Sequence, residues 1–245
     1  MEVLTINNRE TLQKGIEELN LTADNKQLNL FMDFMDLMLD WNKKINLTAI
    51  TEPYEVITKH FIDSLTPLKY IEKYNLELNK VLDLGTGGGF PGIPLKIMVS
   101  DMKLLLADSL KKRVIYLQEV CHKLGFENVE AYHRRAEQMG QNNEYREQFD
   151  TVFSRAVAEM NILVEYCLPM VKVGGIFVAL KGPALDEELE DTNKAIQLLG
   201  GKILGVENFD LPLLEEERTL VFIKKVKETP NKYPRRPGMP KKRPI

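Results

Sequence analysis

From Lys80 onward the chain alternates short apolar runs with amphipathic helical patterns, and no other feature restricts the fold as much. The runs cover residues 81–84, 103–107, 129–132, 151–154 and 176–180, with helical periodicity at 91–99, 110–124, 160–168 and 186–199 between them. A strand that returns parallel to its predecessor needs a crossover, usually a helix, so this alternation predicts an α/β domain with a mostly parallel sheet covered on both faces. Two later runs, 203–210 and 220–226, have no helical pattern between them. They predict an antiparallel hairpin that completes a seven-stranded sheet.

The first 65 residues carry a different period. Leu12, Ile16 and Leu19 share one face, and Leu28, Phe31, Met32, Met35, Met38 and Leu39 follow at spacings of three and four. Thr22 is placed to cap the second helix, and Pro53 stands where a third would begin, ahead of Val56, Ile57, His60, Phe61 and Leu65. The chain thus divides into an N-terminal helical cap over 1–66, an α/β domain over 67–226 and a C-terminal arm over 227–245. At 245 residues and 44% apolar composition it can bury a core of that size. No apolar run reaches membrane-spanning length, and the first residues lack a secretory pattern. Cys121 and Cys167 form no disulfide framework, and His60, His122 and His133 have no metal-ligand spacing. These features predict a cytoplasmic protein with no metal and no membrane contact.

The net charge of −3 hides an asymmetry. Residues 224–245 hold nine Lys or Arg and one acid, a charge of +8, which leaves −11 on the rest. Five prolines in that stretch favour extended backbone. A basic arm on an acidic body predicts a local contact with a polyanion, against the simpler reading of a solubilising tail.

The strongest local signal is Val81-Leu82-Asp83-Leu84-Gly85-Thr86-Gly87-Gly88-Gly89-Phe90-Pro91-Gly92. A buried strand ends in a glycine turn that opens a helix, so backbone N–H groups can approach a ligand. Phe90 fills the third glycine position of a dinucleotide fingerprint, which counts against a dinucleotide and leaves a dehydrogenase as the third reading, and no Gly-Lys-Ser/Thr follows, so the turn is not a phosphate loop. Asp108 ends the second run and is placed to accept hydrogen bonds from ribose hydroxyls, or to cap the next helix, or both. Asp-x-Gly-x-Gly-x-Gly followed by such an acid resembles the class I S-adenosylmethionine-dependent methyltransferases. That likeness implies a Rossmann-like seven-stranded sheet, with Gly85 and Gly87 at the methionine end and Asp108 on the ribose.

More specific segments are 41–50 (WNKKINLTAI), 59–65 (KHFIDSL), 89–92, 108–113 (DSLKKR), 135–137, 154–157 (SRAV), 179–182 (ALKG) and 233–238 (YPRRPG). Together they resemble the bacterial 16S ribosomal RNA guanine-N7 methyltransferase G family, known as glucose-inhibited division protein B, from about Gln27 to the C-terminus. The family's cofactor contacts then fall on Gly85, Phe90, Ala136, Glu137 and Arg155. Gly88 departs from the family, which commonly has alanine there.

The resemblance implies methyl transfer from S-adenosylmethionine to N7 of a guanosine in small-subunit ribosomal RNA, naked or in a partly assembled subunit. That nitrogen has an in-plane lone pair and no proton, so alignment suffices without a general base. Ser154-Arg155-Ala156-Val157 stands where exocyclic-amine enzymes carry Asp/Asn-Pro-Pro-aromatic, and no Pro-Cys pair suggests attack on a pyrimidine. The major groove of A-form RNA is deep and narrow, so the base is expected in a loop or flipped out. Arg155 and Lys181 are expected to serve phosphate, O6 or the cofactor carboxylate. Tyr233, Arg235, Arg236, Lys241, Lys242 and Arg243 are expected on the RNA backbone, and His60 and Asn46 are candidates to face the pocket. A methyltransferase for a small molecule or protein, and a non-catalytic nucleotide-binding module, remain the competing readings. The basic arm opposes the first, and the intact Gly85, Gly87, Asp108 and Glu137 oppose the second.

Overall fold

The computed structural model describes residues 7–183 and 186–245, with nothing said of the side chains at 186 and 187. The first six residues, part of the stretch read as lacking a secretory pattern, lie outside the described residues. Seven strands form one sheet in the order β3-β2-β1-β4-β5-β7-β6. They are β1 (Lys80–Leu84), β2 (Lys103–Asp108), β3 (Val129–His133), β4 (Phe149–Arg155), β5 (Val171–Lys181), β6 (Gly201–Asp210) and β7 (Glu217–Lys225). Neighbours among β1 to β5 pair in parallel, while β7 inserts antiparallel between β5 and β6. The hairpin predicted from the last two runs is therefore present. The chain leaves β1 towards β2 and β3, then returns to lay β4 on the other side of β1. That reversal opens a crevice beyond the carboxyl ends of β1 and β4.

Side chains alternate between the two faces along every central strand. Val81, Leu104, Phe153, Val178 and Phe222 join a core shared with the N-terminal helices and the helices Gly92–Met98 and Lys111–Lys123. Leu82, Val152, Phe177, Val221 and Ile223 join a second core under the helices Met160–Cys167 and Asp186–Leu198. Burial on both faces is what makes these strands continuous apolar runs in the sequence.

Helix α1 (Asn8–Glu18) and helix α2 (Asn25–Ile45) open the cap. Asp24, not Thr22, caps α2: its side chain accepts from Gln27 N at 2.7 Å, and Gln27 Oε1 accepts from Asp24 N at 2.8 Å. This reciprocal box satisfies two donors at once, which a threonine two residues earlier cannot do. Gln27 Nε2 then donates to Ile97 and Met98 carbonyls, tying the cap to the helix after β1.

The third helix begins at Pro53 as expected, but Val56–Ile62 is a π-helix, and helical turns continue past residue 66 to Tyr74. Thr58 Oγ1 donates to the Tyr54 carbonyl at 2.8 Å and Ser64 Oγ to that of His60 at 2.5 Å. Hydroxyls that take carbonyls four residues back compete with the α-helical ladder. The wider turn changes which residues share a face, and it carries Lys59 and His60 with Asp63 just beyond it.

Candidate functional site

A cavity of about 330 Å³ fills the crevice at the strand reversal. The ends of four parallel strands build it: Leu84 and Gly85 after β1, Ala107 and Asp108 at β2, Arg134 to Glu137 after β3, Ala156 and Val157 after β4. Gly85 adopts φ +75°, and a Cβ there would sit 2.3 Å from Val157 Cγ2. Only glycine lets the β1 turn pass this close to the β4 loop. Asp83, fully buried beneath the turn, accepts from Thr86 Oγ1 at 2.6 Å and from Gly92 N at 2.8 Å. Burial pushes its carboxyl up to about 6 despite those two bonds.

Asp108, read in the sequence as a ribose acceptor or a helix cap, accepts from two backbone N–H groups of its own chain. Oδ1 accepts from Leu110 N at 2.8 Å, just ahead of the helix Lys111–Lys123, while Oδ2 accepts from Gly87 N at 3.0 Å and faces Arg113. It lines the cavity with Glu137, whose Oε1 accepts from Gly238 N of the C-terminal arm at 3.0 Å. Tyr166 and the guanidinium-bearing Arg113, Arg134 and Arg135 also line it; Arg113 and Arg135 stand in segments that carry the resemblance without a role assigned, and Tyr166 and Arg134 gave no signal in the sequence.

A second cavity, about 390 Å³, opens on the cap side. Ala156, at φ +55°, lines both. Arg155 turns into this second space: Nη1 donates to Asp63 Oδ2 at 2.6 Å and to the Lys59 carbonyl at 3.1 Å, and the guanidinium lies over the Phe90 ring at 5.0 Å. Its Nη2 is 3.3 Å from His60 Nδ1. A guanidinium can only donate, so Nδ1 accepts and Nε2 carries the proton that it gives to Thr48 Oγ1, 2.9 Å away. Burial, reinforced by the Arg155 charge, lowers His60 to about 3 and keeps it neutral.

That depression has a measurable consequence for stability. Above pH 6.5 the group is neutral in both states; below it the unfolded chain takes up a proton that the folded chain refuses. Stability should fall with pH from 6.5 towards 3 by about 1.4 kcal/mol per unit from this group. Urea unfolding between pH 6 and 5 should show a shallower loss in His60→Gln than in the wild type, and equal slopes would refute it.

Sequence comparison fixes the relationship. The family model described as rRNA small subunit methyltransferase G matches residues 27–221. The chain belongs to the rRNA small subunit methyltransferase G family. Relatives carrying that name include proteins from Desulforamulus reducens, 51% identical over 96% of this chain and 97% of its own, and from Clostridium novyi, 49% identical over 96% of each. Among solved structures the fold is similar to a SAM-dependent O-methyltransferase from Thermotoga maritima, with TM-score 0.51, 16% identity and coverage of 79% and 73%. It is also similar to a branched-chain polyamine synthase from Thermus thermophilus, with TM-score 0.56, 14% identity and coverage of 80% and 64%.

Within this methyltransferase the residues singled out in the sequence fall into three places. Gly85, Asp108, Ala136 and Glu137 line the crevice cavity, and Gly87 donates to Asp108 beside it. Phe90 and Arg155, expected on the cofactor, do not line that cavity. Phe90 is buried 4.5 Å from the His60 ring and 5.4 Å from Phe34, and strand parity sends Arg155 to the cap face with Phe153. His60 does line the second cavity, but Asn46 is an exposed left-handed cap at the end of α2. Asn42 does the work near the site: Oδ1 accepts from Leu47 and Thr48 N–H groups and fixes the loop that brings Thr48 to His60. Lys181 lines the second cavity with its ammonium already paired to Glu188 at 3.0 Å.

The third place is the arm, which is folded onto the domain and not free. Arg146 donates to the carbonyls of Gly140, Thr229 and Tyr233, and Tyr233 and Pro234 are buried. Arg235, expected on RNA, forms a forked pair with Glu165, which is fully buried, through Nε and Nη2 at 2.6 to 3.1 Å. Its guanidinium is committed inside the protein, so we remove it from the RNA-contacting set. Arg236, Lys241, Lys242 and Arg243 are exposed. Among the described residues no group of His, Cys, Asp and Glu could hold a metal ion, and no helix is long and apolar enough to cross a membrane.

Proposed function

We propose that this protein transfers the methyl group of S-adenosylmethionine to N7 of a guanosine in small-subunit ribosomal RNA. The observation that carries the reading is the meeting of two cavities at Ala156, one beside the glycine turn and one lined by charge-paired groups. The first suits the cofactor by its donor set. Asp108 and Glu137 offer carboxylate oxygens to hydroxyl and amine donors, the arginines offer cations to a carboxylate, and Gly85 leaves room against the β4 loop. Bound there, the cofactor supplies an electrophilic methyl carbon on a sulfonium.

The residues of this chain then have only to hold the acceptor in line. The nitrogen brings its own lone pair, and His60, neutral and fully engaged, is not needed as a base. RNA lies across the exposed Arg236, Lys241, Lys242 and Arg243 of the arm, with the target base reaching inward. The substrate is the ribosomal RNA itself or a partly assembled subunit, in the cytoplasm.

Incubating the protein with labelled cofactor and small-subunit RNA tests the reaction. Label should appear as 7-methylguanosine at one position, and label on another atom, on protein alone, or nowhere would overturn the proposal. Replacing Lys241, Lys242 and Arg243 together by alanine should flatten the dependence of log affinity on log salt by about 2, since each lost phosphate contact removes about 0.7 to 0.9. An unchanged slope would remove the arm from the RNA interface.

A further inference from the structure

We propose that the second cavity seats the target guanine and that Asp63 reads its Watson–Crick edge. The inference rests on the guanosine substrate proposed above and deepens it, since the family match says nothing of how a base would be held. It starts from the charges that face this cavity. Lys59 pairs with Glu55 and Glu216, Arg218 with Glu216 and Asp63, Arg155 with Asp63, and Lys181 with Glu188. Among the described lining residues every cation therefore has a carboxylate partner, and His60 adds no charge. A phosphate site would leave a cation free. This cavity is built for a polar, uncharged group, and it opposes no positive charge that later forms on that group. A guanine methylated at N7 is such a group, neutral before the step and cationic after it.

Asp63 is the acid of that lining among the described residues, and it is 6% exposed. Arg155 Nη1 holds its Oδ2 at 2.6 Å and Arg218 Nε faces its Oδ1 at 3.3 Å, so the carboxylate is clamped from two sides. Two oxygens accept about four hydrogen bonds, and these arginines use two. The free sites suit two adjacent donors. Guanine presents N1–H and the 2-amino group side by side, with O6 beside them for a cation such as Arg218 or Lys181. Adenine turns a lone pair at N1 towards the same carboxylate and is repelled. As the base gains charge, the same carboxylate favours the transition state. Asp63 is thus a specificity-determining residue, distinct from Arg155, which positions it.

The test compares two RNAs: small-subunit RNA with the methylated guanosine intact, and the same RNA with inosine there, which keeps N7, O6 and N1–H and lacks the 2-amino group. Wild-type kcat/KM on inosine should be lower by about tenfold or more, as expected for one partner of a bidentate base contact. Asp63→Asn should lose about 100-fold on guanosine, bind S-adenosylhomocysteine within about twofold of wild type, and show an inosine penalty below threefold. A purely structural role would depress both RNAs equally and leave the wild-type penalty unchanged, which would overturn the assignment. Should the variant fail to fold, equal wild-type rates on the two RNAs would overturn it alone. Methyl transfer to neither RNA would instead sink the proposed function and this assignment with it.

Discussion

Arg155→Ala should lower methyl transfer by about 100-fold while cofactor affinity stays within a few-fold of wild type. The guanidinium holds Asp63, the Lys59 carbonyl and His60 Nδ1 together, and it lies over Phe90. Its removal leaves Asp63 with Arg218 as its remaining cation, and misplacing a positioning group by about 1 Å can cost that factor in rate. Breaking one side of a mostly buried pair should also cost about 3 kcal/mol of stability. Lysine should not rescue, because one ammonium cannot reproduce a planar fork that serves three acceptors. Cofactor affinity discriminates between the two placements of Arg155. A tenfold loss on titration with S-adenosylhomocysteine would mean that Arg155 reaches the crevice cavity, and unaltered turnover would remove it from the site.

Arg235→Ala should destabilise the protein by about 3 to 5 kcal/mol, the cost of stranding a buried carboxylate. Glu165 is 0% exposed, and among the described residues the change leaves it only the residue 235 backbone N–H at 2.8 Å. For a chain of this size that loss lowers Tm by roughly 10 °C. The double variant Glu165→Leu/Arg235→Met should recover most of it, because replacing both charges removes the stranded group. The effect should also reach the crevice cavity, since Gly238, three residues on, donates to Glu137. Calorimetric titration of Arg235→Ala should show weaker cofactor binding even though Arg235 does not line the cavity. A variant with wild-type Tm would show that the arm is not clamped at Glu165.

Strand and helix positions were readable because parallel strands with two buried faces and helices with one leave distinct periods in sequence. The glycine turn was readable because Gly85, Gly87 and Asp108 are local to one β-α-β unit. The errors were non-local. Asp63 stands in the segment 59–65 that carries the resemblance but has no role there, since what sets it apart is its clamping by Arg155, 92 residues away, and by Arg218 beyond that. Arg235 looked like its neighbours in a basic tail, and only the distant Glu165 distinguishes it. Asn46 closes a helix with positive φ while Asn42 bonds the loop, a difference that residue spacing does not carry.

By itself the amino-acid order determined the layered α/β architecture, the hairpin at its end and the glycine turn after the first strand, because each depends on contacts within one or two successive elements. The tertiary structure decided which cation meets which carboxylate. Through those pairings it held Arg155 on Asp63, folded the arm onto the helix Met160–Cys167, and left a second, charge-balanced cavity beside the first. Pairings of this kind join residues tens to hundreds of positions apart, and burial then makes them selective, since a buried ion holds its place only where a partner reaches it.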